Sequence, residues 1–420
     1  MVNQHPLTLV TPVLASMKEN LYDHLYQLKI DLEKRIHESF ESIGTIHFCR
    51  WLIIDYDIEK GQSPMGDMPK LIFCSNFDGT AAQHIKDLCT TAGDIIDSVY
   101  ACCENYPVPE ERTPASREAY LNKWIVPASA FYRGSPDRSL KQIRSEKRLR
   151  NFIREYLDSK NWNNHSAREV HQKIKAAVFE NPEFAWAKEP ISLPKVNWFA
   201  MVIVGLILLI LLPVLIIWIL IVQYGYESRD KYFTMKRSQL DERIVKRLET
   251  YEDIEMQNQF SQLVWMKTGF VRLVTFKFMM LFGRTLIRYQ FVKGKLLGMP
   301  TIHFARWVLF DSNKRVLFFS NFDGSWQQYL CDFIDRSGWG LTGIFSNTKN
   351  FPKTKFLITG GAYDEEHFLA WSRHSEIQTQ IWYCAYPDLS IKNVNNNSKI
   401  RYGLIQDLSE SEAKDYLKLI

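Results

Sequence analysis

The chain has 420 residues, which is enough for two or three domains with their own hydrophobic cores. Its net charge of +5 suits an anionic membrane surface but is too small to indicate nucleic acid as a partner. The seven cysteines are odd in number and lack C-x-x-C spacing, so we expect reduced thiols rather than disulfides or a zinc site.

The first part of the chain, residues 1–190, contains a unit that returns near the C-terminus. Residues 45–51 (TIHFCRW) return as residues 301–307 (TIHFARW), with six of seven positions identical. The motif SNFDG at residues 75–79 returns intact at residues 320–324. Because repeated units usually pack as a pseudo-symmetric pair, the duplication predicts either pairing within the chain or a homo-oligomer.

An apolar segment follows at residues 196–226, where 31 consecutive residues carry no charge. About 20 apolar residues suffice to cross a bilayer, so this pattern predicts a transmembrane helix. A single span would place the two repeats on opposite sides of the membrane. Pro213 leaves open a helical hairpin that returns on the same side. The segment therefore predicts an integral membrane protein. The basic residues that follow it predict that the C-terminal half is cytosolic.

Residues 228–297 predict a helical connector and then an amphipathic helix. The stretch 263–297 holds seven basic residues and no acidic one, with apolar residues between the charges. Lys277, Arg284 and Arg288 fall within about 40° of one another on a helix, so they predict a basic stripe at a membrane surface. A helix packed on a protein core with a solvated basic face is the alternative interpretation.

The C-terminal repeat, residues 298–420, gives the clearest predicted order of elements. Two apolar runs, at 303–310 and 315–319, are separated only by residues 311–314, which predicts a β-hairpin. The pattern then predicts a helix from residue 325 and a strand at 341–345. A further strand at 355–359, or 124–128 in the first copy, precedes a second helix. This order, with residues 136–157 or 364–374 as the second helix, predicts an α+β fold of two ferredoxin-like repeats.

Two joined units of this kind resemble the dimeric α+β barrel superfamily. Its dye-decolourising peroxidase family carries a G-x-x-D-G motif, which the SNFDG motif matches at Asp78-Gly79 and Asp323-Gly324 but not at the leading glycine. The chain as a whole also resembles membrane-associated proteins that share an HFARW…SNFDGSW signature. The peroxidase resemblance implies a haem cofactor, with the motif aspartate and an arginine as catalytic residues.

The candidate catalytic residues are Asp323 and Arg306, with Asp78 and Arg50 as their equivalents in the first repeat. A buried arginine needs a partner, and the motif aspartate of the same repeat is the expected one. Such a pair would be structural or catalytic, and the aspartate also suits a helix cap. His303 and His374 are the candidate haem ligands.

These observations leave three hypotheses. The first is a membrane-anchored protein whose duplicated core binds a lipid or another hydrophobic small molecule near the bilayer. The second is a haem-dependent, peroxidase-like oxidoreductase. The third is a structural protein that organises or assembles a membrane. Whether the chain is an enzyme stays open at the level of sequence.

Overall fold

The computed structural model describes residues 4–31, 37–57, 63–64 and 69–420. The longer strands, in chain order, are β1 (Gln4–Pro12), β2 (Ile46–Ile54), β3 (Lys70–Asp78), β4 (Ala130–Arg133), β5 (Gln257–Trp265), β6 (Ile302–Phe310), β7 (Arg315–Asp323) and β8 (Ile381–Cys384). Two-residue ladders join Tyr56–Asp57 to Ser63–Pro64 and Thr354–Lys355 to Thr359–Gly360.

The helices of the first half are α1 (Lys18–Ile30), α2 (His37–Ile43), α3 (Ala81–Thr91), α4 (Gly93–Tyr100), α5 (Pro114–Asn122), α6 (Leu140–Asp158), α7 (Ala167–Glu180) and α8 (Trp198–Gly225). Those of the second half are α9 (Glu242–Glu249), α10 (Phe270–Tyr289), α11 (Trp326–Phe345), α12 (Glu365–His374), α13 (Ile391–Leu404) and α14 (Glu410–Leu417).

The longer strands form two four-stranded antiparallel sheets with matching orders. One has the order β1-β3-β2-β8, and the other has the order β5-β7-β6-β4. In each sheet three strands come from one half of the chain and the short edge strand comes from the other half. Thus β8 pairs with β2, and β4 pairs with β6. The predicted α+β class is confirmed, and the two halves are interlocked by exchanged edge strands.

The inner faces of the two sheets pack on each other. Their shared core contains Leu52 and Ile72 from one sheet and Val308 and Leu317 from the other, all fully buried. The outer face of the first sheet is covered by helices that contribute Leu21, Leu25 and Phe40, and α10 and α11 cover the outer face of the second sheet. Helices therefore lie outside and the sheets inside.

The predicted hairpin at residues 311–314 is confirmed, since β6 ends at Phe310 and β7 begins at Arg315. The strand predicted at residues 341–345 is wrong, because these residues continue α11 past a kink at Ser337. No regular strand spans 124–128, where Ile125 makes one isolated bridge to Leu9. The second helix of each repeat follows the exchanged strand, so α6 corresponds to α13 and not to residues 364–374.

The connector and the amphipathic segment are also divided differently from the prediction. Within residues 228–297, α9 is short and β5 replaces the end of the predicted connector helix. The amphipathic helix begins later than expected, at Phe270, and ends at Tyr289. Its place in the chain, between β5 and β6, is equivalent to that of α1 and α2 between β1 and β2.

Candidate functional site

The two retained arginines cross from one sheet to the other. The guanidinium of Arg50 donates hydrogen bonds to the backbone carbonyls of Phe260 (2.9 Å) and Ser320 (2.9 Å), and to the side chain of Asn321. Arg306 donates to the carbonyls of Leu7 (2.6 Å) and Ser75 (2.6 Å), and to the side chain of Asn76. The acceptors are equivalent in the two directions, and both arginines are 1% exposed.

These contacts correct the expected pairing of each arginine with the aspartate of its own repeat. Their partners are carbonyl, amide and hydroxyl oxygens of the opposite repeat, including the asparagine of each SNFDG motif. Burial lowers the pKa of Arg50 to about 10, which is still well above neutral pH, and burial also lowers the pKa of Arg306. The retained arginine and asparagine thus join the two repeats.

The retained aspartates instead bind the retained histidines. Asp78 Oδ1 lies 2.9 Å from His47 Nε2, and Asp323 Oδ1 lies 2.7 Å from His303 Nε2. The second carboxylate oxygen of each accepts a hydrogen bond from a helix N-terminus, at Leu140 N (2.7 Å) and at Ile391 N (2.8 Å). A carboxylate at that position stabilises the helix, so each Asp–His pair has a structural task.

The predicted haem residues do not fit a haem site. His303 is fully buried, its Nε2 is bonded to Asp323, and its ring lies 5.4 Å from the ring of Phe48. His374 lies elsewhere, at the end of α12, with its ring 5.4 Å from that of Phe233. Arg306 binds acceptors in the opposite sheet, and His374 lies away from the Asp323–His303 pair. These four candidate residues therefore do not line one common site. Their catalytic and haem-binding roles stay predictions without geometric support.

The apolar segment forms one continuous helix, α8, with Pro213 inside it. It is long and apolar enough to cross a membrane, and it is the one such helix within the described residues. Positions spaced three or four apart, including Leu208, Leu215 and Trp218, are partly covered by the rest of the chain. The opposite side is exposed, with Ile210 at 77%.

Helix α10 runs antiparallel to α8 at its side. The backbone N–H of Asn197, just before α8, donates to the carbonyl of Tyr289 (3.0 Å), and Trp218 Nε1 donates to Thr275 Oγ1 (2.9 Å). The predicted surface residues Lys277, Arg284 and Arg288 are all exposed on α10. They form the basic stripe, a single row along this helix.

A cavity of about 510 Å³ lies between these two helices, α11 and the second sheet. Its walls are almost entirely apolar. Leu211 and Leu215 come from α8, Met279 and Gly283 from α10, and Leu341 from α11, while Ala130 and Trp307 form its floor on the sheet.

The two halves of the chain differ at the position that forms the floor of this cavity. Ala130 pairs with Trp307 in the second sheet, and Ile381 pairs with the equivalent Trp51 in the first. The larger isoleucine is fully buried in the first core, where α1 and α2 pack on the sheet. On the other side the smaller alanine stands below the cavity. A change of side-chain volume and a different covering helix thus separate the two halves.

Comparisons with family models, curated proteins and solved structures gave no match. The function must therefore be argued from the geometry of the chain itself.

The cavity has few polar atoms. The Trp218–Thr275 hydrogen bond occupies the indole N–H and the hydroxyl that line it. The indole N–H of Trp307 is buried and has no hydrogen-bond partner within the described part of the chain. The cavity can therefore hold a largely apolar molecule.

Sequence reasoning placed the site on the retained motifs and missed the cavity. Its lining residues are ordinary apolar side chains, which carry no chemical signature. One signal was present: residues 136–140 (PDRSL) match residues 387–391 (PDLSI), and this alignment makes Ala130 equivalent to Ile381. Equivalent positions that hold a small residue in one copy and a large residue in the other indicate where the two cores differ.

Proposed function

We propose that this chain is a membrane-associated protein with a duplicated core of the dimeric α+β barrel type, and that it binds a lipid or another hydrophobic molecule. The cavity of about 510 Å³ between α8, α10, α11 and the second sheet is the observation that carries this proposal. It adjoins the exposed apolar helix, so a ligand dissolved in a bilayer has a short path to it.

The size and lining of the cavity support a ligand rather than a packing defect. Protein interiors contain few voids larger than a water molecule. Small-molecule sites occupy about 300–1,000 Å³ and are mainly apolar, with a few placed polar groups. An apolar ligand would cover this apolar surface and remove it from water.

The experiment compares two cavity-filling substitutions with a matched control. Ala130→Ile gives the floor the residue that its equivalent position already has. Gly283→Leu places a side chain into the cavity from α10, where a Cβ meets no atom within 4 Å. Gly205→Leu is the control: it makes the same change on α8, where a Cβ also meets nothing within 4 Å. Both glycine substitutions raise helix propensity by a similar amount.

The proteins are extracted into polymer nanodiscs without detergent, and bound molecules are identified by native mass spectrometry. We expect the parent chain and Gly205→Leu to retain a stoichiometric hydrophobic molecule that Ala130→Ile and Gly283→Leu lose. A parent chain that carries no molecule beyond bulk bilayer lipid would contradict the proposal and favour the structural, membrane-organising alternative. Absorbance in the haem Soret region in the same preparation would revive the peroxidase-like one.

A further inference from the structure

Helix α8 is attached to the same folded body at both of its ends. At its start, the N–H of Asn197 binds the carbonyl of Tyr289. At its end, the side chain of Gln223 accepts from the N–H of Phe356 (2.5 Å), and Glu227 accepts from the N–H of Leu357 (3.2 Å). The helix has 28 residues and is about 42 Å long. The body therefore extends alongside α8 for the whole thickness of a bilayer.

A further cluster ties the end of α8 to the beginning of α10. Asp230 forms ion pairs with Lys267 (2.8 Å) and with the buried Arg272. Both basic residues are largely buried, and burial lowers the pKa of Lys267 to about 8. Such charges are costly to separate, so the two helices are held together at this end as well.

A crossing α8 would bring α10 into the hydrocarbon beside it. The exposed Lys277 and Arg284 would then lie near the middle of the membrane, where a basic residue is strongly disfavoured. A helix lying in the plane of the interface avoids this, because its basic side chains reach the lipid headgroups.

The exchanged strands exclude a crossing on independent grounds. Residues before α8 supply β4 to the second sheet, and residues after it supply β8 to the first. A simple span would place these partners on opposite sides of the bilayer. Both ends of α8 must therefore lie on the same side.

We infer that α8 lies in the plane of one leaflet, with its exposed apolar face in the acyl chains and the basic stripe of α10 on anionic headgroups. The exposed face of α8 and the basic stripe of α10 thus bind a bilayer that contains acidic lipids. The ends of α8 carry exposed aromatic residues, Trp198 at 69% and Tyr224 at 65%, which suit an interface. The inference rests on the membrane association proposed above and is independent of the ligand in the cavity.

Three isoleucines allow a depth measurement that separates the possible topologies. Ile203, Ile210 and Ile217 are seven residues apart and are all exposed, so they lie on one face of α8. Each is replaced by cysteine in a Cys331→Ser background, since the other six cysteines are buried. A nitroxide label on each full-length variant, in vesicles of neutral and acidic phospholipid, reports its depth.

For a helix in the interface plane we expect one depth at all three positions, about 5–10 Å into the headgroup–acyl boundary. Positions 203 and 217 in opposite leaflets would overturn the inference in favour of a span. A label at 210 much deeper than the other two would overturn it in favour of a hairpin. A soluble dimer that does not bind the vesicles would indicate that α8 forms an interface between two copies of the chain. This result would also contradict membrane association.

The headgroup contact has a separate test. The triple variant Lys277→Gln, Arg284→Gln, Arg288→Gln is compared with Lys141→Gln, Arg154→Gln, Arg168→Gln, which removes three other exposed charges. Basic residues at an acidic membrane surface each strengthen binding about fivefold, so the stripe variant should bind acidic vesicles roughly a hundredfold more weakly. The control should keep most of its affinity, and an equal loss in both variants would contradict a specific basic stripe.

Discussion

At the residue scale, the retained motif residues hold the molecule together. Each SNFDG asparagine accepts a hydrogen bond from the arginine of the opposite repeat. Each SNFDG aspartate binds a histidine and a helix N-terminus of its own half of the chain. Survival in both copies therefore reflects shared contacts rather than shared chemistry. The sequence showed which residues are retained, but it could not show that their partners lie in the other repeat.

Arg306→Ala tests this role. It leaves the carbonyls of Leu7 and Ser75 without their buried donor, so we expect about 3–5 kcal/mol less stability. Arg306→Lys should recover little, because an ammonium cannot reproduce the fork of the guanidinium. Thermal unfolding in micelles measures both. Arg148→Gln, which breaks an exposed ion pair with Glu183, is the control and should cost less than about 1 kcal/mol. Equal losses would contradict the role.

His84 predicts a pH dependence. Its buried ring stacks on Phe77 at 3.8 Å, and burial lowers its pKa to about 3. The unfolded chain takes up this proton near pH 6.5, so the stabilising contribution is complete above pH 6.5 and is lost as the pH falls toward 3. In that range we expect His84→Phe to remove up to about 1.4 kcal/mol per pH unit from the slope of the free energy of unfolding.

Denaturant titrations between pH 7 and pH 4.5 measure that slope. The C-terminal equivalent of His84 is Tyr329, which stacks on Phe322 at the same 3.8 Å, so an aromatic ring without a titrating nitrogen fits this place. The exposed His24→Asn is the control. An unchanged slope in His84→Phe would show that the histidine titrates freely in the folded chain.

At the element scale, the long apolar strands were predictable, whereas the short strands β4 and β8 and the polar strand β5 were not. The runs that became β2, β3, β6 and β7 are rich in aromatic and β-branched residues. By contrast β5 begins Gln-Asn-Gln and carries a buried polar side chain, Gln257, that binds the carbonyl of Tyr386 (2.9 Å). Its polarity is satisfied by tertiary contacts, so a local pattern could not identify it.

The attachment of α8 predicts a local change in dynamics. Phe356 and Leu357 have φ values of 53° and 64°, an unfavourable conformation that the hydrogen bonds from their N–H groups to Gln223 and Glu227 help to hold. We expect Glu227→Ala to increase amide hydrogen exchange at residues 354–357 by tenfold or more. The exposed Glu242→Ala is the control. Unchanged protection would mean that other contacts hold this end of the helix.

At the scale of the whole molecule, the pairing of the repeats was predicted and its form was not. The duplication indicated two units that associate. The exchange of β4 and β8 joins residues that are far apart in sequence, and no local signal specifies such a partner. The in-plane helix that we infer rests on the same exchange, because it resolves the conflict between paired repeats and a long apolar segment.

The exchange predicts that neither half folds alone. Fragments 1–195 and 228–420 each lack one edge strand and the partner for their buried arginine, so each should be unfolded or aggregated on its own. Expressed together, they should form a one-to-one complex that co-purifies through a tag on either fragment. Circular dichroism and size-exclusion chromatography measure this. A single fragment that melts cooperatively would contradict the prediction.

The exchanged strands also determine how long each sheet stays incomplete during synthesis of the chain. The ribosome completes β1, β2 and β3 by residue 78, yet β8 follows about 300 residues later. At about 5–20 residues per second, the outer edge of β2 waits some 15–60 s for its partner. An apolar unpaired edge is prone to aggregation over that time. Since α8 leaves the ribosome before β8, the membrane association that we propose would begin before the first sheet is complete, and a chaperone for that edge would then act at the lipid surface.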